Sequence, residues 1–428
     1  MLLFLLANVL IAGCMLLGQA AAPSADDLAR TVRRLVHQLD ALRLVERDEA
    51  EAELVRLGPA VLDHLPETSK EDSSELVHRL SSVRHKLELA LAEQAAKPSL
   101  VTLKGSQMPL VEVLSAIQKQ TGNKMDLPEQ APEELRQIKL DVAFDKTPFW
   151  QAVDQVLDRA GLTAYAYGEG AAVHVVPRPE THVPRARGAV YSGPFRLAAL
   201  RAVARRELRE TIGDNLQITL EATWEPRLAP IILKQPMDAV QAVDEKGNPL
   251  KIGSEQAEFE VTIDPGTTAT ELVIPLELPP REVTRIASLK GTLSAVLPGR
   301  VQTFRFKDLA KAKDAEQRKA GAIVTLQQVR KTGEVWEVRI LVRFDEAGDA
   351  LDSHRGWILN NNAYMEGPDG KPVENGGLET TRRTKTEVGI AYFFDLERPL
   401  SEYTFVYKTP SLLIAKQFPY EIKDVKLP

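Results

Sequence analysis

The chain has 428 residues, which is enough for roughly three domains of ordinary size. Hydrophobic residues make up 44% and charged residues 27%, as in globular proteins, so disorder throughout the chain is excluded. The net charge of −6 gives no general reason to bind nucleic acid, and that class of partner is not expected. The single cysteine excludes a disulfide framework and a zinc site made of cysteines.

The N-terminal residues 1–22 carry no charge and are mostly Leu, Ala, Val and Ile. The run ends in small residues at Ala20–Ala22, which predicts a signal peptide over 1–22 with a cleavage site. The segment Ile11–Cys14 is also typical of a bacterial lipobox, so Cys14 is a candidate for lipidation; an uncleaved anchor is the third alternative. The sequence therefore predicts an exported protein of the periplasm or cell envelope. Membrane contact is expected only through this segment, if it is uncleaved or lipidated.

Residues 24–96 carry apolar residues at helical spacing and are predicted to form a helical hairpin region. Within it, 46–66 resembles a HEAT-like hairpin, because a helix stops at Gly58 and Pro59 suits the start of the next turn. Another helix is predicted over about 71–95. Its His78 and His85 lie on the face opposite the apolar stripe, so we expect them to face solvent instead of binding a metal.

Residues 98–177 contain an internal duplication. A helix opened by Pro109 and closed by Gly122 matches a second helix opened by Pro148 and closed by Gly161. A strand-like segment precedes and follows each helix, which predicts two helices over a small sheet.

The spacing of hydrophobic residues and the paired proline-to-glycine helices in 98–177 resemble the short N-terminal domain shared by secretins and TonB-dependent transducers. In that family the domain is an interaction module without catalysis. The resemblance covers this segment alone, so it implies a contact role and not transport.

Residues 178–188 are rich in proline, show no periodicity and are predicted to be a linker. Beyond them hydrophobic residues alternate with period two, which is typical of half-buried strands. Four segments recur in the same order, which predicts two tandem antiparallel β-sandwich domains, 189–310 and 320–428. The corresponding pairs are 216–224 with 336–344, 244–248 with 368–371, 272–278 with 388–394, and 304–309 with 420–425.

Between these two domains, Ala310–Lys319 is predicted to be a short helix or a linker. The fold class expected from the whole chain is a multidomain α+β protein. N-terminal helices come first, then a small α+β domain of βαβ-βαβ type, then the two β-sandwiches.

The sequence contains no serine-hydrolase elbow, zinc-protease motif, phosphate-binding loop or dinucleotide fingerprint. We therefore predict no catalytic, cofactor-binding or metal-binding residues. The turn at Asp244 is similar to a calcium loop, but Lys246 occupies a ligand position, so a hairpin turn is expected. The segment Asp352–Arg355 places an acid, a hydroxyl and an imidazole together, and a polar loop is expected because neighbours on an extended chain face opposite sides.

One further loop holds aromatic and amide side chains, which suit binding surfaces. We predict it as a possible partner-contact loop; the alternative is a sandwich turn with a core tryptophan. Its residues are Trp357, Asn360, Asn361, Asn362 and Tyr364.

These observations predict a non-enzymatic interaction or structural protein of the bacterial cell envelope, whose partners are other envelope or secreted proteins. Strand edges of the β-sandwiches would be available for pairing with a partner strand. Two alternatives stay open. One is an accessory component of a secretion or pilus complex, which a lipid on Cys14 would anchor if that residue is lipidated. The other is a carboxylate-dependent hydrolase whose acids the sequence alone does not pair.

Overall fold

The computed structural model describes residues 25–66, 71–126, 135, 137–168, 170–209, 213–254, 257–319, 321–344, 356–384, 386–410 and 413–428. The predicted signal peptide with Cys14, and the segment Asp352–Arg355, lie outside these residues. The fold is mixed α+β, with helices early in the chain and mainly antiparallel sheets after them. Within the described ranges, no helix is both long and apolar enough to cross a membrane. The chain divides into two compact units at Leu87–Glu88.

The first unit is helical. It contains α1 (Ala25–Gln38), α2 (Leu44–Arg56), a 3₁₀ helix (Pro59–His64) and the beginning of α3 (Ser74–Ala95). Between α2 and the 3₁₀ helix the chain turns at Gly58, whose φ of +85° favours glycine. His78 and His85 are exposed on α3. The apolar core consists of Val32, Leu35, Leu39, Ala50, Leu54, Val61, Leu80, Val83 and Leu87.

The second unit begins with an α+β segment. Its elements are β1 (Leu100–Pro109), α4 (Leu110–Thr121), β2 (Met125–Asp126), β3 (Lys139–Pro148), α5 (Phe149–Arg159), β4 (Leu162–Tyr165) and β5 (Val173–Pro177). A proline precedes each helix, and Gly122 (φ +71°) and Gly161 (φ +68°) follow the helices in left-handed conformation. The predicted pair of proline-to-glycine helices is therefore confirmed.

The strands of this segment form two small sheets, where the sequence predicted one. β1 pairs with β3, and β2, β5 and β4 form a separate three-stranded sheet. One apolar core joins both sheets to the helices, with Ile117 of α4 and Val153 and Val156 of α5 fully buried in it. The apolar faces of the two helices thus hold the segment together.

The rest of the second unit is made of strands. These are β6 (Ala189–Ser192), β7 (Phe195–Arg205), β8 (Asn215–Trp224), β9 (Ile232–Pro236), β10 (Gln241–Asp244), β11 (Pro249–Leu250), β12 (Glu258–Thr262), β13 (Ala269–Leu276), β14 (Arg285–Pro298), β15 (Val301–Phe306), β16 (Lys313–Lys319), β17 (Ala322–Thr332), β18 (Val335–Phe344), β19 (Ala363–Glu366), β20 (Pro372–Glu374), β21 (Gly377–Arg383), β22 (Glu387–Phe394), β23 (Thr404–Pro410) and β24 (Leu413–Lys426).

These strands form two sheet pairs, each with its own core. In the first sheet pair, the sheet β13-β8-β7-β6 shares a core with the sheet β11-β10-β14-β9-β12, in which β24 also pairs with β14. In the second sheet pair, β16-β17-β18-β22-β21 shares a core with β15-β23-β19-β20. Trp224 and Phe418 are buried in the first core, and Tyr392 and Phe405 in the second.

A long two-stranded ribbon runs through both sheet pairs. β14 pairs with β24 from Arg285 and Lys426 to Pro298 and Leu413. β15 pairs with β23 from Val301 and Pro410 onward. The numbers of the paired residues add to 711 in both ladders, so β14–β15 and β23–β24 keep a single register. The two sheet pairs are therefore joined by paired strands as well as by the chain itself.

This ribbon corrects the predicted division into 189–310 and 320–428. β15 lies in the second sheet pair and β24 in the first, so the last strand of each predicted domain belongs to the other sheet pair. The likeness of segments 304–309 and 420–425 in sequence does not say which neighbouring strand each of them joins. The prediction for Ala310–Lys319 is also wrong, because Lys313–Lys319 forms the edge strand β16.

A free strand edge as the candidate functional site

Two residues of the predicted contact loop support the fold. The Trp357 side chain lies in the core of the second sheet pair, with 5% of the residue exposed. The Asn361 amide donates hydrogen bonds to the Tyr407 hydroxyl at 2.8 Å and to the Thr409 hydroxyl at 3.0 Å. Trp357 thus occupies the position of a core tryptophan, and Asn361 satisfies buried hydroxyl groups.

The other three residues of that loop lie nearer the surface. Asn360 and Asn362 are exposed, and the backbone carbonyl of Asn362 accepts a hydrogen bond from the backbone N–H of Lys408. The Lys408 ammonium lies 5.5 Å from the ring centre of Tyr364, a cation–π contact. The loop therefore places two amides and one aromatic ring at the surface, but not the tryptophan.

A buried carboxylate on α5 ties the α+β segment to the first sheet pair. Asp154 is fully buried and accepts hydrogen bonds from Arg185 Nε at 2.8 Å, Arg196 Nε at 2.7 Å and the Tyr191 hydroxyl at 2.9 Å. Arg196 lies on β7, while Arg185 belongs to the segment predicted as a linker. Charged groups remain buried only when paired in this way, so these residues fix α5 against β7.

Glu225 performs the same task at a second point of contact. It is fully buried and accepts hydrogen bonds from the backbone N–H of Ser99 at 2.8 Å, Asn123 Nδ2 at 3.0 Å and Arg227 Nε at 2.6 Å. Arg227 also donates to the carbonyl oxygen of Ala95 at 3.1 Å. Glu225 therefore fixes the start of the α+β segment to the end of β8.

Asp154 and Glu225 are the first acids to consider for the alternative function of a carboxylate-dependent hydrolase, because both are fully buried. Both oxygens of Asp154 and both oxygens of Glu225 accept hydrogen bonds from protein groups. Each carboxylate is enclosed and neutralised by arginine, so neither is available to a substrate. Their geometry supports a structural role.

One strand edge that is open to solvent lies on β7. β7 has 11 residues, and β6 has 4, pairing with β7 only as far as Ala198. Beyond a bulge between Ala199 and Arg201, the rest of β7 pairs with β8 alone. We call this part, Ala199–Arg205, the β7 edge. Leu200 is 50% and Val203 44% exposed, so the edge is open to solvent.

The hydrogen-bond pattern of β8 shows which groups of the β7 edge point outward. The N–H of Trp224 binds the carbonyl oxygen of Thr268, away from β7. Since alternate residues of a strand face opposite neighbours, Thr219 and Gln217 face β7, where they pair with Arg201 and Val203. The backbone N–H and C=O groups of Ala202 and Ala204 therefore point away from the sheet.

Two other edge strands carry features that oppose pairing with another chain. β16 exposes Lys313, Asp314, Glu316 and Arg318 in seven residues, and β21 is interrupted by a bulge between Thr380 and Arg382. Charged side chains and bulges are the usual protection of sheet edges. The β7 edge also has a bulge and carries Arg201 and Arg205, but the residues after the bulge whose backbone groups point outward are the small alanines Ala202 and Ala204.

A pair of tyrosines lies beside the outer face of the same sheet. Tyr165 and Tyr167 are 54% and 51% exposed, with ring centres 6.2 Å apart. Partial burial, and then the charges of Glu221 and Glu271, raise the pKa of Tyr167 above its ordinary value. Glu271 lies 3.1 Å from the guanidinium of Arg201 on the β7 edge. Tyrosine and arginine are common at the centres of protein interfaces.

A cavity of about 360 Å³ opens at the other end of the β7 edge. Small aliphatic and proline side chains form most of its wall, and two arginines complete it. The lining residues are Ala204, Arg206, Leu216, Leu278, Pro279, Pro280, Arg281, Val283, Leu427 and Pro428.

In the part of the chain that the structure describes, no cluster of three or more His, Cys, Asp or Glu side chains could hold a metal ion. Asp244 forms a turn, as predicted, accepting hydrogen bonds from the backbone N–H groups of Lys246 and Asn248, both at 2.8 Å. Scans against protein-family models, curated proteins and solved structures found no match. The β7 edge was not foreseen in the sequence, although the four-residue β6 against the 11-residue β7 is the signal that could have revealed it.

Proposed function

We propose that the chain is an exported, non-enzymatic interaction protein of the bacterial cell envelope that binds an extended segment of a partner protein along the β7 edge. Its two sheet pairs are interpreted as duplicated antiparallel β-sandwiches that exchange their last strands. The α+β segment 98–177 contributes a contact surface, in keeping with its resemblance to the short N-terminal domain of secretins and TonB-dependent transducers. The predicted signal peptide supports an envelope location.

The observation that carries the proposal is that the second half of β7 pairs with β8 on one side and with no strand on the other. Two outward N–H and C=O sets, at Ala202 and Ala204, would accept a new antiparallel strand without displacing any existing one. Each added backbone hydrogen bond contributes about 0.5–1.5 kcal/mol net. A few such bonds give moderate affinity, and the side chains around the edge supply selectivity.

A proline at the edge tests this binding mode. Ala204→Pro removes one outward N–H while leaving the ladder with β8 intact, because the Ala204 N–H does not bind β8. Ala204→Ser keeps the N–H and is the matched control. We expect crosslinking and co-purification from envelope extract to recover a partner with the unmodified chain and the serine variant, and to lose it with the proline variant at unchanged thermal stability.

Two results would contradict the proposal. One is equal recovery of the partner by the proline and serine variants, which would place the contact elsewhere on the chain. The other is the repeated absence of any partner with the unmodified chain.

A further inference from the structure

We propose that the 360 Å³ cavity beside Ala204 is a side-chain pocket for the strand that binds the β7 edge, and that it selects an apolar side chain accompanied by a carboxylate. This inference rests on the proposed function and names the chemistry of the partner segment. The occupant is an extended segment of another protein that carries a leucine-like side chain and an aspartate or glutamate.

Strand geometry places the partner side chain at the cavity. Ala204 pairs with Leu216, which is buried in the core of the first sheet pair, so its side chain faces inward. A residue directly opposite Ala204 on an added strand would have its Cβ about 5 Å away on the same face. Since Ala204 itself lines the cavity, that inward side chain would enter it.

The wall of the cavity determines which side chain fits. Leu216, Leu278, Val283 and three prolines make it largely apolar. Its volume of about 360 Å³ is many times the share of about 30 Å³ that one water occupies in the liquid. A large aliphatic side chain would therefore gain free energy from burial there.

The two arginines determine the charge of the ligand. Arg206 lies 3.6 Å from Asp214 and is partly neutralised. Arg281 also lines the cavity, is exposed, and forms no ion pair with any residue that the structure describes. A carboxylate two positions along the added strand from the apolar residue lies on the same face and would supply the missing partner. An ammonium at that position would be repelled.

The test compares two short synthetic peptides that differ at one position. Both alternate threonine and valine around a central leucine; one carries a glutamate two residues from the leucine, the other a lysine. Fluorescence anisotropy measures their dissociation constants for the full chain. We expect the glutamate peptide to bind about tenfold more tightly, which corresponds to about 1.4 kcal/mol.

Charge reversal separates this inference from the proposed function. With Arg281→Glu, we expect the preference to invert, so that the lysine peptide binds more tightly; Lys331→Glu on β17 is the control and should preserve the original order. Ala202→Pro, which removes an outward N–H at a residue outside the cavity wall, should weaken both peptides. If Ala202→Pro weakens both but Arg281→Glu leaves their order unchanged, the pocket is wrong and the edge stands. If neither peptide binds the unmodified chain, the pocket assignment is overturned, while the partner-recovery experiment still judges the edge.

Discussion

The contact between α5 and β7 depends on one buried carboxylate, and Asp154→Asn removes its charge with almost no change of shape. The side chains of Arg185 and Arg196 are 8% and 5% exposed, so both guanidinium groups would lose the buried negative charge that they share. Loss of one partner from a buried ion pair costs about 3–5 kcal/mol. Arg196 keeps a second carboxylate, Glu221, at 3.3 Å, so we expect the lower value of about 3 kcal/mol.

Urea unfolding measured by tryptophan fluorescence is the assay for this loss. Trp150 reports on the contact, because its Nε1 donates to the Pro194 carbonyl at 3.2 Å and the Arg185 guanidinium lies 6.0 Å from its ring. The control is Asp145→Asn on the exposed end of β3, for which we expect less than about 0.5 kcal/mol. A free energy of unfolding for Asp154→Asn within about 0.5 kcal/mol of the unmodified chain would refute the view that this carboxylate holds the segments together.

Two further predictions concern the second sheet pair. Burial raises the pKa of Glu337, but hydrogen bonds from Arg330, Arg339 and Thr332 outweigh it and hold that pKa below its ordinary value of 4.5. Ionised Glu337 therefore stabilises the fold above about pH 4.5, and this contribution disappears as the pH falls through the lowered pKa. We expect the stability difference between the unmodified chain and Glu337→Gln to shrink on acidification below pH 4.5, and a difference independent of pH would contradict the assignment. A second prediction uses a protease site inserted between the exposed residues Ala310 and Lys311. We expect the cut chain to elute as one species in native gel filtration, because the paired strands of the ribbon join the two halves. Elution as two separate halves would instead support the division into domains 189–310 and 320–428.

Much of the local structure could be predicted from sequence because its causes are local. Proline before a helix and glycine after it fix the ends of α4 and α5, and period-two alternation identifies β8 and β18. The recurring segments also predict two β-sheet units, and the structure contains two sheet pairs, each with its own core. Local patterns do not identify a distant neighbour, so they do not show that β15 pairs with β23 and β24 with β14.

The candidate site was harder to predict for a similar reason. A free edge is defined by a strand that ends early beside it, so its signal is the difference in length between β6 and β7 and not any motif. The buried acids gave no sequence signal either, because Asp154 finds its arginines 31 and 42 residues away. The contact loop is predicted from its residue types alone, and burial of Trp357 shows that an aromatic residue near amides also suits a core turn.

The buried contact between Asp154 and Arg196 and the proposed binding edge both lie on β7. Arg196, which pairs with Asp154, lies on the half of β7 that is bonded to β6, and the open half follows directly after the bulge. Binding by strand addition is favoured when the receiving edge is already fixed, since ordering a mobile edge would consume part of the free energy gained. The buried carboxylate and its arginines thus hold one end of β7, while the outer edge of its other end is bonded to no strand. A strand bound there would meet the tyrosine pair on one face and the cavity on the other, so selectivity would come from two surfaces that the network keeps in place.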